Sequence, residues 1–372
     1  MRLFIPFFVS LFLSVSLFAS CSEPEENETP QPAPVIESIV SKFDGKAVYD
    51  QVLEIHGSNF STESYLNTVY FDDQQVNQFV DVSQTVIRLK APRIDKETVT
   101  VKVETDGQES ETMSLEYDRR RCDSVLLFQY AKVEEIRKDI VWTSTLTTWY
   151  GESRSLNVLS IKLSGENVLG ISEPSALMTV SAQCKAAGAV VGVNASYFKD
   201  GHTRDFLRLD GEVVQVGEAK RSKTFAGGVF CFDGNEVSIM KVESNVAAAD
   251  VEWPNVLCSG PLLIDDGEFG ELVLTSTHNT EPHPRTAVGI TEDGRLLLVT
   301  VDGRFPGRAV GMPSELMQEY MRLLGARYAL NLDGGGSTTM WIEGRGVVNH
   351  ACDDLNWNSP QEREVASVIF IK

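Results

Sequence analysis

The sequence predicts an all-β sandwich followed by a larger α+β unit, in which helices flank a mixed, strand-rich sheet. Between residues 34 and 117 the apolar runs are short, β-branched and alternating, with turn residues between them, as in a sandwich. From residue 118 onward, apolar strands alternate with helical periodicity. The clearest helical stripe follows Pro313, stops before Gly325, and consists of Leu316, Met317, Tyr320, Met321 and Leu324.

The first segment contains a strand that runs into Gly57-Ser58-Asn59-Phe60, and a later Val-rich strand at 99–103. These features resemble an immunoglobulin-like IPT/TIG domain. The resemblance implies a spacer module over residues 34–117. A glycan-binding role for it lacks a supporting aromatic cluster.

The second segment covers residues 118–372, and a basic triplet, Arg119-Arg120-Arg121, marks its junction with the first. Residues 156–163 alternate, which predicts a half-buried strand. A helix is expected over 175–187, with Gly188 as its C-terminal cap. A buried strand should then run into Asn194. Hairpin turns are predicted at three Asp-Gly pairs: 210–211, 233–234 and 293–294.

The N-terminus has the pattern of a signal peptide over residues 1–20, with Arg2 followed by an almost wholly apolar run. Ala19-Ser20 directly before Cys21 resembles a bacterial lipobox, so we expect Cys21 to be lipidated and residues 21–33 to form a solvated tether. The protein would then face the periplasm or the cell surface, touching the membrane through its anchor only. Ordinary secretion is the alternative.

Composition narrows the classes of partner and cofactor. The net charge of -20 argues against nucleic-acid binding. The cysteines other than Cys21 are widely spaced and lack a C-x-x-C pair, so we interpret most of them as core residues, with disulfide pairing left open. The histidines are too irregular for a zinc site. We therefore expect no metal and no cofactor.

The most informative stretch is Asn331-Leu332-Asp333 followed by Gly334, Gly335, Gly336, Ser337 and Thr338. At the end of a strand, Asn331 and Asp333 point to the same face. The glycines allow backbone conformations that a Cβ forbids, and successive N–H groups in such a turn can bind an anion. A tight glycine turn after a buried strand is the competing interpretation.

Other motifs accompany this stretch in a fixed order: Gly192-Val193-Asn194, Ser259-Gly260-Pro261, His283-Pro284-Arg285, Val301-Asp302-Gly303-Arg304 and Arg363-Glu364-Val365. The ordered set resembles the phosphodiester glycosidase family over the last two-thirds of the chain. Ala195-Ser196 and Glu364 depart from the usual family pattern, which leaves the substrate open.

The resemblance implies a hydrolase that cleaves the glycosidic bond of a sugar-1-phosphodiester or a related cell-surface glycan. Such an enzyme needs cations on the phosphate and a carboxylate near the anomeric carbon. We expect Asp333 to be the base or nucleophile, with Asp302 and Asn194 as further catalytic residues. The expected substrate-binding groups are Arg285, Arg304, Arg363, Asn331, the backbone of Gly334, Gly335 and Gly336, Ser337 and Thr338.

Two alternatives remain at this point. Asp302 and Asp333 each begin an Asp-Gly pair, which is also a common turn. In the first alternative, the Asp302 and Asp333 carboxylates are metal ligands in a metal-dependent phosphodiesterase, which a chelator would inactivate. In the second alternative, the protein is a non-catalytic glycan-binding lipoprotein, which would bind a glycan without turning it over.

Overall fold

The computed structural model describes residues 32–94, 96–358 and 361–372. The predicted signal peptide, Cys21 and most of the predicted tether lie outside these residues. In the part of the chain that the structure describes, no helix has both the length and the apolar character that crossing a membrane requires.

The described residues up to 117 form two antiparallel sheets, ordered β1-β2-β6-β5 and β4-β3-β7-β8, with β9 paired to β7. Alternation along β7 buries Val99, Val101 and Val103 in the core between them, as the sequence predicts. A 3-10 turn, Ser64–Leu66, precedes β3. The strands are β1 (Val35–Val40), β2 (Val52–Ser58), β3 (Asn67–Phe71), β4 (Gln74–Val76), β5 (Asp81–Val82), β6 (Val86–Lys90), β7 (Thr98–Thr105), β8 (Gln108–Glu109) and β9 (Met113–Glu116).

Helix α1 (Arg119–Phe128) joins this sandwich to the rest of the chain. Asp118 caps it by accepting a hydrogen bond from the Arg121 backbone N–H at 3.0 Å. Cys122 packs into the sandwich core, whereas Leu127 packs into the next core. One helix therefore contributes to both cores.

The remaining described residues are strand-rich with few helices. The helices are α2 (Val180–Ala187), α3 (Lys223–Ala226), α4 (Asn245–Ala249), α5 (Thr277–Thr280) and α6 (Ser314–Leu323), with a 3-10 turn at Gly335–Ser337. The strands are β10 (Lys132–Arg137), β11 (Ile140–Trp149), β12 (Glu152–Ile161), β13 (Leu169–Ser172), β14 (Met178–Thr179), β15 (Val191–Asn194), β16 (Phe198–Lys199), β17 (His202–Thr203), β18 (Leu207–Leu209), β19 (Glu212–Gln215), β20 (Gly228–Asp233), β21 (Glu236–Lys241), β22 (Asn255–Ser259), β23 (Leu262–Asp265), β24 (Glu268–Phe269), β25 (Arg285–Thr291), β26 (Leu296–Val301), β27 (Ala326–Asn331), β28 (Met340–Ile342), β29 (Gly346–Val347), β30 (Glu364–Val365) and β31 (Val368–Ile371).

An eight-stranded antiparallel sheet, ordered β10-β11-β12-β26-β25-β27-β23-β24, is the central layer. Helix α6 covers one face, where Met317 shares a core with Val299. On the other face, Leu298 shares a core with Val193 of the five-stranded sheet β13-β31-β15-β28-β29. A second five-stranded sheet, β19-β18-β22-β20-β21, contributes Phe230 to that core.

Local structure confirms some sequence expectations and corrects others. The three Asp-Gly hairpins and the apolar stripe of α6 are confirmed. The strand predicted at 156–163 is present as part of β12, but its predicted half-buried character is wrong, because β12 lies between β11 and β26 and is buried from Arg154 to Leu159. Gly188 ends α2 with φ 66°, as expected, but the helix starts at Val180, where Thr179 caps it.

Strand pairing explains why distant motifs meet. Strand β25 runs antiparallel to both β26 and β27, with Arg285 opposite Val301 and Ala287 opposite Asn331. The segment before β25 and the segments after β26 and β27 therefore lie at one edge of the sheet. Asn194, at the end of β15, joins them because its side chain accepts a hydrogen bond from the Thr286 hydroxyl at 2.7 Å.

Candidate active site

A cavity of about 260 Å³ opens at this edge of the sheet. Its walls come from segments that are far apart in sequence. The lining residues are Tyr197, Phe225, His278, His283, Pro284, Arg304, Asp333, Gly334 and Gly335. Asp333 is the one carboxylate among them.

The position of Asp333 is fixed through its backbone. Its N–H donates to the Ala195 carbonyl at 2.9 Å, and its carbonyl accepts from Asn194 Nδ2 at 2.6 Å. The half-buried carboxylate accepts from the Gly334 N–H at 2.9 Å. Burial raises the pKa of Asp333 to about 6, although hydrogen bonds from Ser337 and Gly334 oppose the rise. The group is therefore mostly ionised at neutral pH but poorly solvated, as expected of a base or nucleophile.

Two arginine side chains pack against the glycine turn formed by Gly334, Gly335 and Gly336. A Cβ on Gly335, which has φ 62°, would lie 2.9 Å from Arg304 Nη2. A Cβ on Gly336 would overlap the Arg363 guanidinium and the Asp353 carboxylate. Glycine is thus required at these positions so that both cations can lie against the turn.

The prediction that the backbone N–H groups of this turn bind an anion is wrong for most of these groups. The N–H groups of Gly335, Ser337 and Thr338 already donate to the carbonyls of Pro284, Gly334 and Gly335, respectively. The side chains of Ser337 and Thr338 are also buried, at 1% exposure. Side-chain cations, rather than backbone N–H groups, supply most of the positive charge around this turn.

Of the three arginines predicted to bind phosphate, Arg304 and Arg363 have access to solvent. Arg304 is exposed and has a φ of 66°, an uncommon conformation for a non-glycine residue. Arg363 is 41% exposed and pairs with Asp353, whose Oδ1 lies 2.9 Å from its Nε. Such an exposed pair contributes little to stability. An incoming anion can therefore compete with Asp353 for this guanidinium.

Arg285 does not have the predicted access. It is fully buried, and its guanidinium donates to the backbone carbonyls of Met312, His278 and Glu281. Burial lowers its pKa to about 10. The expected contact of Arg285 with phosphate is therefore wrong: this residue holds the segment around α5 behind the cavity.

Asp302 is likewise placed behind the cavity. It is fully buried and accepts hydrogen bonds from Ser155 Oγ at 2.5 Å, Asn349 Nδ2 at 3.0 Å and the His350 N–H at 2.9 Å. Since it does not line the cavity, the prediction that its carboxylate reaches the cleft is wrong. Asp302 instead anchors the segment 349–350.

The two predicted asparagines also support the site from within. Asn194 is fully buried, and it holds Asp333 through the bond described above. Asn331 donates to the Tyr197 hydroxyl at 2.9 Å and is 1% exposed. The predictions that Asn194 acts in catalysis and that Asn331 binds substrate are therefore wrong. Asn194 positions Asp333, and Asn331 positions Tyr197.

Sequence reasoning missed the aromatic wall. No sequence pattern assigned a role to Tyr197, Phe225 or His278, whose rings form this wall of the cavity. Arg285 Nη1 lies 3.2 Å from His278 Nε2, so this nitrogen accepts and the ring is neutral. Burial and Arg285 lower the pKa of His278 to about 3. His283, which belongs to the same motif as Arg285, also lines the cavity, and burial lowers its pKa as well.

Among the described residues, no three or more His, Cys, Asp or Glu side chains gather as metal donors. The carboxylates of Asp302 and Asp333 do not share the cavity. The five described cysteines are buried and free, as expected for core residues.

Comparison with known protein families shows the class to which the chain belongs. The phosphodiester glycosidase family model matches residues 187–372, and the IPT/TIG domain model matches residues 34–117. The chain belongs to the phosphodiester glycosidase family, which confirms the resemblance seen in the motifs.

Individual proteins that resemble this chain share about a third of the aligned residues with it. N-acetylglucosamine-1-phosphodiester alpha-N-acetylglucosaminidase of Bos taurus is 35% identical over 214 residues, 52% of this chain and 38% of that protein. The uncharacterized SPbeta prophage-derived protein YomE of Bacillus subtilis is 30% identical over 200 residues, 52% of this chain and 29% of that protein. The chain thus spans well under half of these curated relatives. The catalytic domain of zebrafish N-acetylglucosamine-1-phosphodiester alpha-N-acetylglucosaminidase has a TM-score of 0.50 at 19% identity, covering 65% of this chain and 87% of that one, which shows a shared fold.

Proposed function

We propose that this protein is a glycoside hydrolase that cleaves the bond between an anomeric carbon and a phosphate oxygen in a sugar-1-phosphodiester or a related cell-surface glycan. One observation carries the proposal. Asp333, a carboxylate with a raised pKa, lies in a small cavity beside a glycine turn that two solvent-accessible arginines contact.

The chemistry follows from the leaving group. Phosphate departs as a stable anion, so it needs less protonation than an alcohol, and the usual pair of carboxylates is not required. Asp333 acts at the anomeric carbon, directly as nucleophile or through a water molecule as base. Arg304 and Arg363 stabilise the charge that develops on the phosphate. The lowered pKa values of His278 and His283 fit a reaction without a histidine acid at neutral pH.

The architecture that we propose around this site has four parts: a signal peptide at 1–20, a tether at 21–33 with lipidated Cys21, an IPT/TIG-like sandwich at 34–117, and an α+β domain at 118–372. Helices α2 and α6, packed on antiparallel sheets, support the α+β class. The leader sequence supports a bacterial cell-envelope location.

The test is release of free sugar by purified protein from a panel of sugar-1-phosphodiesters. The matched control is the alkyl glycoside of each sugar, which lacks the phosphate. We expect turnover of the phosphodiesters alone, and none by Asp333→Asn. Binding without turnover would replace the proposal with a glycan-binding lipoprotein. Complete loss of turnover in a chelator would favour a metal-dependent phosphodiesterase.

A further inference from the structure

Behind the aromatic wall lies a buried ion pair that the mechanism above does not use. Arg221 Nε and Nη2 donate to Asp205 Oδ1 and Oδ2 at 2.8 and 3.0 Å. The side chains are 7% and 0% exposed. Asn245, also fully buried, donates to Asp205 Oδ1 at 3.2 Å and to the Glu218 carbonyl at 2.9 Å. The arginine is thereby fixed as a bidentate fork.

The free faces of this guanidinium lie against cavity residues. Arg221 Cζ is 4.6 Å from the Phe225 ring centroid and 5.7 Å from that of Tyr197. These two rings meet edge to face at 5.1 Å. The Tyr197 hydroxyl in turn lies 3.1 Å from His278 Nε2 and accepts from Asn331. A shift of Arg221 would therefore move the wall that faces Asp333.

We propose that Arg221, held by Asp205 against the Tyr197–Phe225 wall, is a positioning residue of the active site: from this place it supplies a buried positive charge that stabilises the Asp333 carboxylate. The inference rests on the proposed function, because it assigns Asp333 the reactive role. Arg221 needs no contact with substrate to act in this way.

Electrostatics supports this assignment. Although burial works against its charge, the hydrogen bonds with Asp205 raise the pKa of Arg221, so it stays cationic. Burial raises the pKa of Asp333, whereas the charges of Arg363 and Arg221 lower it. Arg304 faces Asp333 from the segment after β26.

The titratable groups that face Asp333 without carrying a charge at neutral pH come from three other segments. Tyr197 follows β15, His278 belongs to α5, and His283 precedes β25. Burial holds the pKa of Tyr197 far above neutrality and the pKa values of both histidines below their ordinary range. None of the three therefore carries the compensating charge at neutral pH.

The experiment is a carbon-13 NMR titration of the Asp333 carboxyl in the full chain, assigned by comparison with Asp333→Asn. Removing a nearby cation destabilises a carboxylate, so Arg221→Gln should raise the pKa of Asp333 by up to about one pH unit. The acidic limb of kcat/KM should move upward with it. Arg221→Lys keeps the charge and should stay near wild type. The matched control is Arg208→Gln, because Arg208 stacks on Phe206 at 5.3 Å outside the cavity; it should change nothing.

Asp205→Asn separates charge from packing. It removes an anion and leaves the cation, so the pKa of Asp333 should not rise. A rise as large as that of Arg221→Gln would show that loosened packing is the cause and would overturn the proposal. An unchanged titration in Arg221→Gln would overturn it too. If Arg221→Gln does not fold, a rise in Arg221→Lys or in Asp205→Asn refutes the proposal. If wild type turns over no phosphodiester, the NMR titration still tests Arg221 while the proposed function fails.

Discussion

Asp333→Asn should make the protein more stable at neutral pH while abolishing sugar release. The carboxylate has a pKa of about 6 instead of 3.8, mainly because it is buried. Each pKa unit corresponds to about 1.4 kcal/mol, so the charged form costs at most about 3 kcal/mol. We reduce this to about 2 kcal/mol, since the side chain keeps part of its exposure to solvent. The amide oxygen of Asn can still accept from the Gly334 N–H.

The pH dependence has a definite sign. Below the unfolded pKa of about 3.9 both states are protonated, and the folded protein suffers no penalty. As pH rises toward 6, the unfolded state loses its proton first, so wild-type stability falls relative to Asp333→Asn. Above 6 the difference is constant. In the active enzyme, kcat/KM should fall as pH drops below about 6, because Asp333 must be ionised.

Chemical denaturation of both proteins at pH 4 and pH 7.5 measures this difference. We expect the Asn variant to gain about 2 kcal/mol at pH 7.5 and to come within about 0.5 kcal/mol of wild type at pH 4, which lies at the unfolded pKa. A variant that is less stable than wild type at pH 7.5 would show that Asp333 is mainly a structural turn residue. A stable variant with wild-type turnover would place the catalytic carboxylate elsewhere.

Three further predictions concern the cations, the turn and the anchor. Arg304→Ala or Arg363→Ala should each lower kcat/KM on phosphodiesters about tenfold to a hundredfold, since each removes a charge-assisted contact of about 1.5–3 kcal/mol; unchanged kinetics in both would place the phosphate elsewhere. Gly336→Ala should raise KM, because its Cβ would displace the Arg363 guanidinium, whereas Gly165→Ala meets open space and serves as the control; equal KM values for the two would contradict the role of the turn. Cys21→Ala should release the protein from the membrane fraction of cells, and its retention there would count against lipidation.

Much of the local structure followed from the sequence because it depends on neighbouring residues. The apolar stripe behind Pro313 predicted α6, since a period of 3.6 residues places those side chains on one face. Gly188 predicted the end of α2, since the left-handed cap there favours glycine. Asp333 was singled out from its place between a strand and a glycine turn, and it does line the cavity.

The roles of the other polar residues depended on burial, which no local pattern reveals. Arg285 and Asp302 stand in motifs that resemble those of the family, as Arg304 does, yet the first two are fully enclosed and only Arg304 is exposed. Their partners, the Met312 carbonyl and Ser155, are 27 and 147 residues away in the chain. Such pairings exist only once the strands are in register.

The sequence by itself determined the strand-rich character of the chain, its family motifs and the carboxylate at the glycine turn, because these follow from residue types and their spacing. Only the tertiary structure decided which groups face the cavity. Antiparallel pairing of β25 with β26 and β27 brings Asp333 and Arg304 to one edge, and the same packing encloses Arg285. It also places Arg221, which belongs to no recognised motif, behind the wall of the site. Burial and long-range contact are properties of the folded chain, and they set both access and ionisation.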